Sequence, residues 1–72
     1  MPIFIINKNT QPSGDNEVHN ATTSCSHMPN SENQIALGSH PSCHEAVAAA
    51  KRKWPNNKID GCYYCCEPCH TS

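Results

Sequence analysis

The residues able to do chemistry are gathered at one end of this sequence. Cys62-Tyr63-Tyr64-Cys65 and Cys66-Glu67-Pro68-Cys69 are two C-x-x-C units set back to back, and His70 follows them. A C-x-x-C turn suits a tetrahedral ion, because two thiolates two residues apart can take adjacent corners at about 2.3 Å each. Cys65 and Cys66, as immediate neighbours, point differently from one backbone, so four tail thiolates on one ion would demand a cramped turn. The tail is therefore expected to give two or three ligands and to reach back for the rest. Cys25 has no packing reason to be cysteine, since it stands alone in a polar stretch. The expected ligand set is four of Cys25, Cys62, Cys65, Cys66, Cys69 and His70, with His19 and Cys43 in reserve. The expected cofactor is one Zn2+, bound as a structural crosslink.

Other chemistries fit parts of the same pattern. Six cysteines allow fifteen disulfide pairings, and the sequon Asn20-Ala21-Thr22 would accord with secretion. Against this, "MPIFIINKN" lacks a basic segment and a long apolar run, so no signal peptide is read and the expectation is a cytoplasmic protein with reduced thiols. "CEPCH" matches the c-type haem attachment pattern literally, but the chain offers little of the apolar pocket or distal ligand a haem needs. Neither C-x-x-C opens the expected helix, which removes the usual cause of a depressed thiol pKa and of redox chemistry. A second ion is conceivable on ligand count, yet a domain this small needs only one crosslink. Cys43 would then be buried as a small hydrophobe. His27, His40 and His44 show no partner pattern and read as surface residues.

The need for a crosslink follows from composition. At 72 residues the chain is one domain, residues 1–72, with five Ile, two Val, one Leu, two Met and four large aromatics. A core of that size rarely supplies more than about 3–5 kcal/mol. Net charge is −1, which gives no general pull toward nucleic acid or anionic lipid. No stretch reaches the roughly 20 apolar residues that span a bilayer.

The elements that must position these ligands can be read locally. "PIFIIN" is β-branched and aromatic and predicts a strand over Ile3–Asn7. Pro12, Ser13, Gly14 and Asp15 predict a turn, and "NEVHN" the returning strand of a hairpin. The polar span from Ala21 to Asn33 reads as a loop anchored at Cys25. "QIALG" predicts a short third strand ended by Gly38. Ser42 and Glu45 fit a capping box, so a helix is expected from Cys43 until Pro55 stops it. Its inward stripe would be Cys43, Val47, Ala50 and Trp54, with Lys51, Arg52 and Lys53 favouring its C-terminal dipole. "NNKIDG" reads as a turn into the tail. The sum is an α+β fold: a small zinc-stabilised domain with a short hairpin or three-stranded sheet, one helix and a C-terminal cysteine knuckle.

"INKNTQPSGDNEVHN", the isolated Cys25, "ALGSHPSCHEAVAAAK" and "DGCYYCCEPCHTS" together resemble a group of short bacterial proteins of unknown function. The resemblance implies a compact single-domain bacterial protein and attaches no activity to it. The lone cysteine after "VH", the "EAVAAAK" helix and the closing C-x-x-C are also similar to the zinc-binding domain of Ada-type DNA repair proteins. In that domain four cysteines hold zinc and one accepts a methyl group from a DNA phosphotriester. Cys25 would match its first half and Cys62 and Cys65 its closing pair. The chain departs from that pattern in lacking a paired first-half cysteine and an Arg-rich DNA-facing surface. The functional expectation is a monomeric structural zinc domain that serves as a binding or adaptor module for a protein partner. A zinc-activated thiol enzyme or sensor and a secreted disulfide-rich module are the alternatives, and a salt-dependent nucleic-acid contact through Lys51–Lys58 is a weaker one.

Overall fold

A computed structural model describes residues 1–10, 14–23 and 25–70, and shows an α+β domain. The expected turn over Pro12 and Ser13 lies outside the described residues. Strands β1 (Ile3–Asn7) and β2 (Asp15–Asn20) form the antiparallel hairpin, with Ile5 opposite His19 and Ile6 opposite Val18. Strand β3 (Gln34–Ser39) adds antiparallel to the other edge of β1. Helix α1 (Cys43–Lys53) follows, and then β4 (Lys58–Gly61) pairs parallel with β2. The sheet order is β3-β1-β2-β4, so the α1 connection carries the chain from one edge of the sheet to the other.

Strand alternation sorts the side chains onto two faces. Phe4, Ile6, Val18, Leu37 and Ile59 meet Ala46 and Ala50 of α1 in one buried cluster. Ile5, Glu17, His19 and Asp60 alternate with these residues and belong to the face away from the helix. The alanines of α1 bring the helix axis close to the sheet, and they are its only fully covered positions among the described residues. Cys43, Val47 and Trp54, expected on the same stripe, pack at its margin and are partly exposed. Ser42 occupies the N-cap with extended backbone, but its hydroxyl makes no capping hydrogen bond. The helix start is held instead by Ala46 N–H to Ser42 O at 3.3 Å.

Two further expectations are corrected. Gly38 does not end β3; the strand runs on to Ser39 through a bulge, where the register shifts and Phe4 faces Gly38 while Ile5 faces Ala36. Gly38 takes φ +87°, a backbone state that suits glycine and lets the bulge form. "NNKIDG" is not simply a turn: Lys58–Gly61 is the fourth strand, and Cys62 N–H extends its ladder to Val18 O at 2.9 Å. No helix among the described residues is long and apolar enough to cross a membrane.

Candidate metal centre

β2 and β4 run parallel, so their C-terminal ends lie side by side, at His19–Asn20 and Gly61–Cys62. The chain then folds back over both ends. After β2, Asn20 Oδ1 accepts from Thr22 N–H at 2.9 Å, and Thr22 Oγ1 accepts from Ile3 N–H at 2.8 Å. These bonds turn the loop tightly and carry Cys25 back over the strand end. After β4, Cys66 N–H donates to Cys62 O at 2.7 Å, which closes the Cys62–Cys65 turn.

The result is a convergence of His19, Cys25, Cys62 and Cys65, whose ligand atoms all lie within 4.8 Å of one another. Cys25 Sγ is 3.8 Å from Cys62 Sγ and 3.9 Å from His19 Nδ1; Cys65 Sγ is 3.6 Å from His19 Nδ1. Metal–sulfur bonds of about 2.3 Å and metal–nitrogen bonds of about 2.0–2.1 Å give a tetrahedron whose edges are about 3.8 Å and 3.5 Å. The Cys25–Cys62 and Cys65–His19 separations match those edges, the Cys25–His19 separation is about 0.4 Å longer, and the remaining ones stay within 4.8 Å, so the group can hold a metal ion with four protein ligands.

The surroundings support the same geometry. Asn20 N–H donates to Cys65 Sγ at 3.3 Å, and the Tyr64 and Cys65 amides donate to the Cys62 sulfur. Amide donors of this kind stabilise thiolates. Burial works the other way: it holds the Cys62 and Cys65 thiols above their ordinary range, with the neighbouring thiols reinforcing it at Cys65. Burial also pushes the His19 imidazole below its ordinary value, with His27 adding to the effect. His19 is fully buried and therefore presents a neutral ring with a free lone pair. Its Nδ1 faces the sulfurs, while Nε2 has no hydrogen bond and lies 3.7 Å from Glu17 Oε1. Glu17 and His19 share a face of β2 by alternation, which places a carboxylate where the outer nitrogen of a ligating histidine usually finds one. Burial, then the neighbouring Asp60, raises the Glu17 carboxyl above its ordinary value.

The structure divides the expected ligands into two places. Cys25, Cys62 and Cys65 enter the group, with His19 from the reserve. Cys66, Cys69 and His70 stand outside it. The division falls between Cys65 and Cys66, the adjacent pair. Cys65 turns to the site, while Cys66 is buried in the cluster that includes Ala46 and Ala50. Its thiol is also pushed up by burial. Cys69 forms a disulfide with Cys43 of α1, leaving Cys25, Cys62, Cys65 and Cys66 free. His70 Nδ1 donates to Gly61 O at 3.1 Å and lies 3.5 Å from the buried Asp60 Oδ2, which fastens the tail to β4. The set of one imidazole and three thiolates would carry a net −1 around a divalent ion, one negative charge fewer than four thiolates.

His19 had a sequence signal that local pattern alone understates. Val18 is apolar, so the alternation sets Glu17 and His19 together on the other face, directly before the loop to Cys25. The disulfide had none, since 26 residues separate its partners. Among the surface histidines, His27 stacks on Tyr64 with ring centroids 3.8 Å apart, His40 Nε2 donates to Leu37 O at 2.8 Å, and His44 stands exposed beside the disulfide.

No family model, no curated protein and no solved structure matches the chain. The functional reading therefore rests on the site itself.

Proposed function

We propose that this protein is a structural zinc-binding domain, with Zn2+ held by His19 Nδ1, Cys25, Cys62 and Cys65, and that it acts as a binding or adaptor module. The observation that carries the reading is the convergence, within 4.8 Å of one another, of four ligand atoms drawn from three separate segments. Thiolate-rich donors favour zinc over hard cations. Four protein ligands leave no open corner, so the ion ties segments together and does not activate water. It would join the end of β2, the loop at Cys25 and the tail, which is the crosslink that the thin core lacks.

The binding role is supported by the outer surface of the same turn. Tyr63 and Tyr64, between the two ligating cysteines, are 53% and 65% exposed. Tyr64 is braced by the His27 stack, and Tyr63 meets His70 edge-on at 5.4 Å. Rigid exposed tyrosines are frequent anchors at protein interfaces, and a metal beneath them would fix their presentation.

A disulfide-rich module is the second reading, and the Cys43–Cys69 bond is the observation that favours it. Intact mass separates the two. Zinc binding with one disulfide predicts a native mass one zinc heavier, and a denatured mass only two hydrogens below the fully reduced chain. A chain lacking six hydrogens and carrying no metal would sink the zinc reading.

A further inference from the structure

The second convergence of donors is at the other end of the tail. Cys43, His44 and Cys69 also bring one ligand atom each within 4.8 Å of one another. Two of these donors are consumed by the disulfide, and the third, His44, is exposed. A disulfide and a metal thiolate pair are mutually exclusive uses of the same sulfurs. Cys69 is held in place independently of the bond, by Cys69 N–H to Cys66 O at 2.9 Å and by its close approach to Gly61. Cys43 is held by the first turn of α1. The donors therefore remain neighbours when the sulfurs part.

We propose that reduction of the Cys43–Cys69 bond creates a second, redox-gated site for a divalent metal of the zinc class, with Cys43, His44 and Cys69 as ligands. A dithiol reductant gives up two electrons and two protons, breaking the S–S bond to yield two thiols while it closes its own disulfide. The metal then displaces one proton from each thiol, and two thiolates with a neutral imidazole balance its charge. Oxidation by a disulfide of higher potential reverses the sequence and expels the ion. Unlike the four-ligand centre, this site has three protein ligands and an open fourth corner. A cavity of about 280 Å³ adjoins it, lined by His44, Val47, Ala48, Lys51, Pro68 and Cys69. The Lys51 ammonium at that cavity suits water or a small anion as the fourth ligand. The site does not depend on occupancy of the His19–Cys25–Cys62–Cys65 group.

The test is zinc stoichiometry by native mass spectrometry, on the full chain oxidised and after reduction with a water-soluble phosphine. The phosphine takes the oxygen of one water as the two thiols form. The expected result is one additional equivalent on reduction, two in place of one. Cys43→Ser/Cys69→Ser should abolish the additional equivalent under reducing conditions. His44→Ala changes an exposed side chain and keeps the disulfide and the fold. In its reduced form it should bind the second ion more weakly by at least the ~10–100-fold that loss of an outer-shell partner costs. An unchanged count on reduction overturns the proposal, whether or not the reduced chain stays folded. So does an additional equivalent that His44→Ala leaves at full affinity. Failure of the four-ligand reading is separately visible, because the oxidised chain would then carry no zinc at all.

Discussion

At the residue scale the site turns on which donor each backbone position can deliver. Cys25→Ser is expected to lose the metal and to destabilise the fold about as badly as Cys62→Ser or Cys65→Ser, while Cys66→Ala keeps one zinc. The last change removes a buried sulfur that borders the group but is not one of its four donors, and should cost about 1–2 kcal/mol in denaturant unfolding. Retention of zinc by Cys25→Ser would end the assignment. Glu17→Gln should leave the fold intact and weaken zinc about 10–100-fold, the range found for partners that orient a ligating histidine. Competition with a coloured chelator reads that shift. The same titration has a pH signature. Burial holds Cys62 and Cys65 above the ordinary thiol range in the metal-free fold, so both protons must leave when the ion binds. Affinity should thus rise with pH by about tenfold per unit for each proton displaced, and fall as the solution is acidified through neutrality. A pH-independent affinity would contradict thiolate ligation. The approach of Cys25 to Cys62 and Cys65 was legible from residue type alone, whereas residue type did not separate these from Cys66, Cys69 and His70, which lie outside the group. His19 was harder, since a histidine in a polar strand looks the same whether it faces solvent or a sulfur cluster. Only the tertiary placement of the tail distinguishes the two.

At the scale of elements, the parallel neighbour of β2 is what makes the site. The hairpin, β3 and the helix were readable because apolar or alanine-rich runs bounded by Pro and Gly dominate them. β4 was not. Ile59 is its single apolar residue, Asn56 and Asn57 precede it, and Asp60-Gly61 reads as turn chemistry. It becomes a strand because β2 offers a free edge and because its polar groups find partners. Gly61 N–H donates to Asp60 Oδ1 at 2.9 Å, and His70 approaches the same carboxylate. Gly61 has a second role, since a Cβ there would lie 2.7 Å from Cys69 Cβ and 2.8 Å from Cys66 O. The glycine lets the tail return flush against the strand after its excursion to the His19–Cys25–Cys62–Cys65 group. Gly61→Ala should therefore cost about 1–3 kcal/mol through overpacking, seen as a lower melting temperature. Gly14→Ala is the comparison, because nothing lies within 4 Å of its Cβ position and only the positive φ of 92° is strained. A smaller loss at Gly61 than at Gly14 would mean that the tail does not need this close approach.

At the scale of the whole molecule, the tail is pinned on both sides of the sheet's edge. Cys62 and Cys65 meet His19 and Cys25 at the strand ends, while Cys69 is bonded to Cys43 on the helix. The disulfide and the candidate metal group share no residue. They would act on different parts of the unfolded ensemble: the disulfide closes a loop between residues 43 and 69, and a bound metal would gather residues 19, 25, 62 and 65. Loop-closure entropy puts the disulfide at about 3–4 kcal/mol, comparable with the about 3–5 kcal/mol that a core of this size can provide alone. Structural zinc in small domains contributes more, about 10–16 kcal/mol of apparent binding free energy at neutral pH. Chelation should consequently lower the melting temperature further than reduction does, although each treatment alone leaves one crosslink and a cooperative transition. Chelation and reduction together should remove that transition, because both anchors of the tail are gone and Ala46, Ala50 and the few apolar strand residues remain as the core. Near-ultraviolet circular dichroism of the three tyrosine and tryptophan side chains follows the loss, as Tyr63 and Tyr64 lie in the tail and Trp54 packs against the core. A chain that melts cooperatively and at the same temperature with both treatments would show that neither anchor carries the fold, and that the sheet and helix suffice without them.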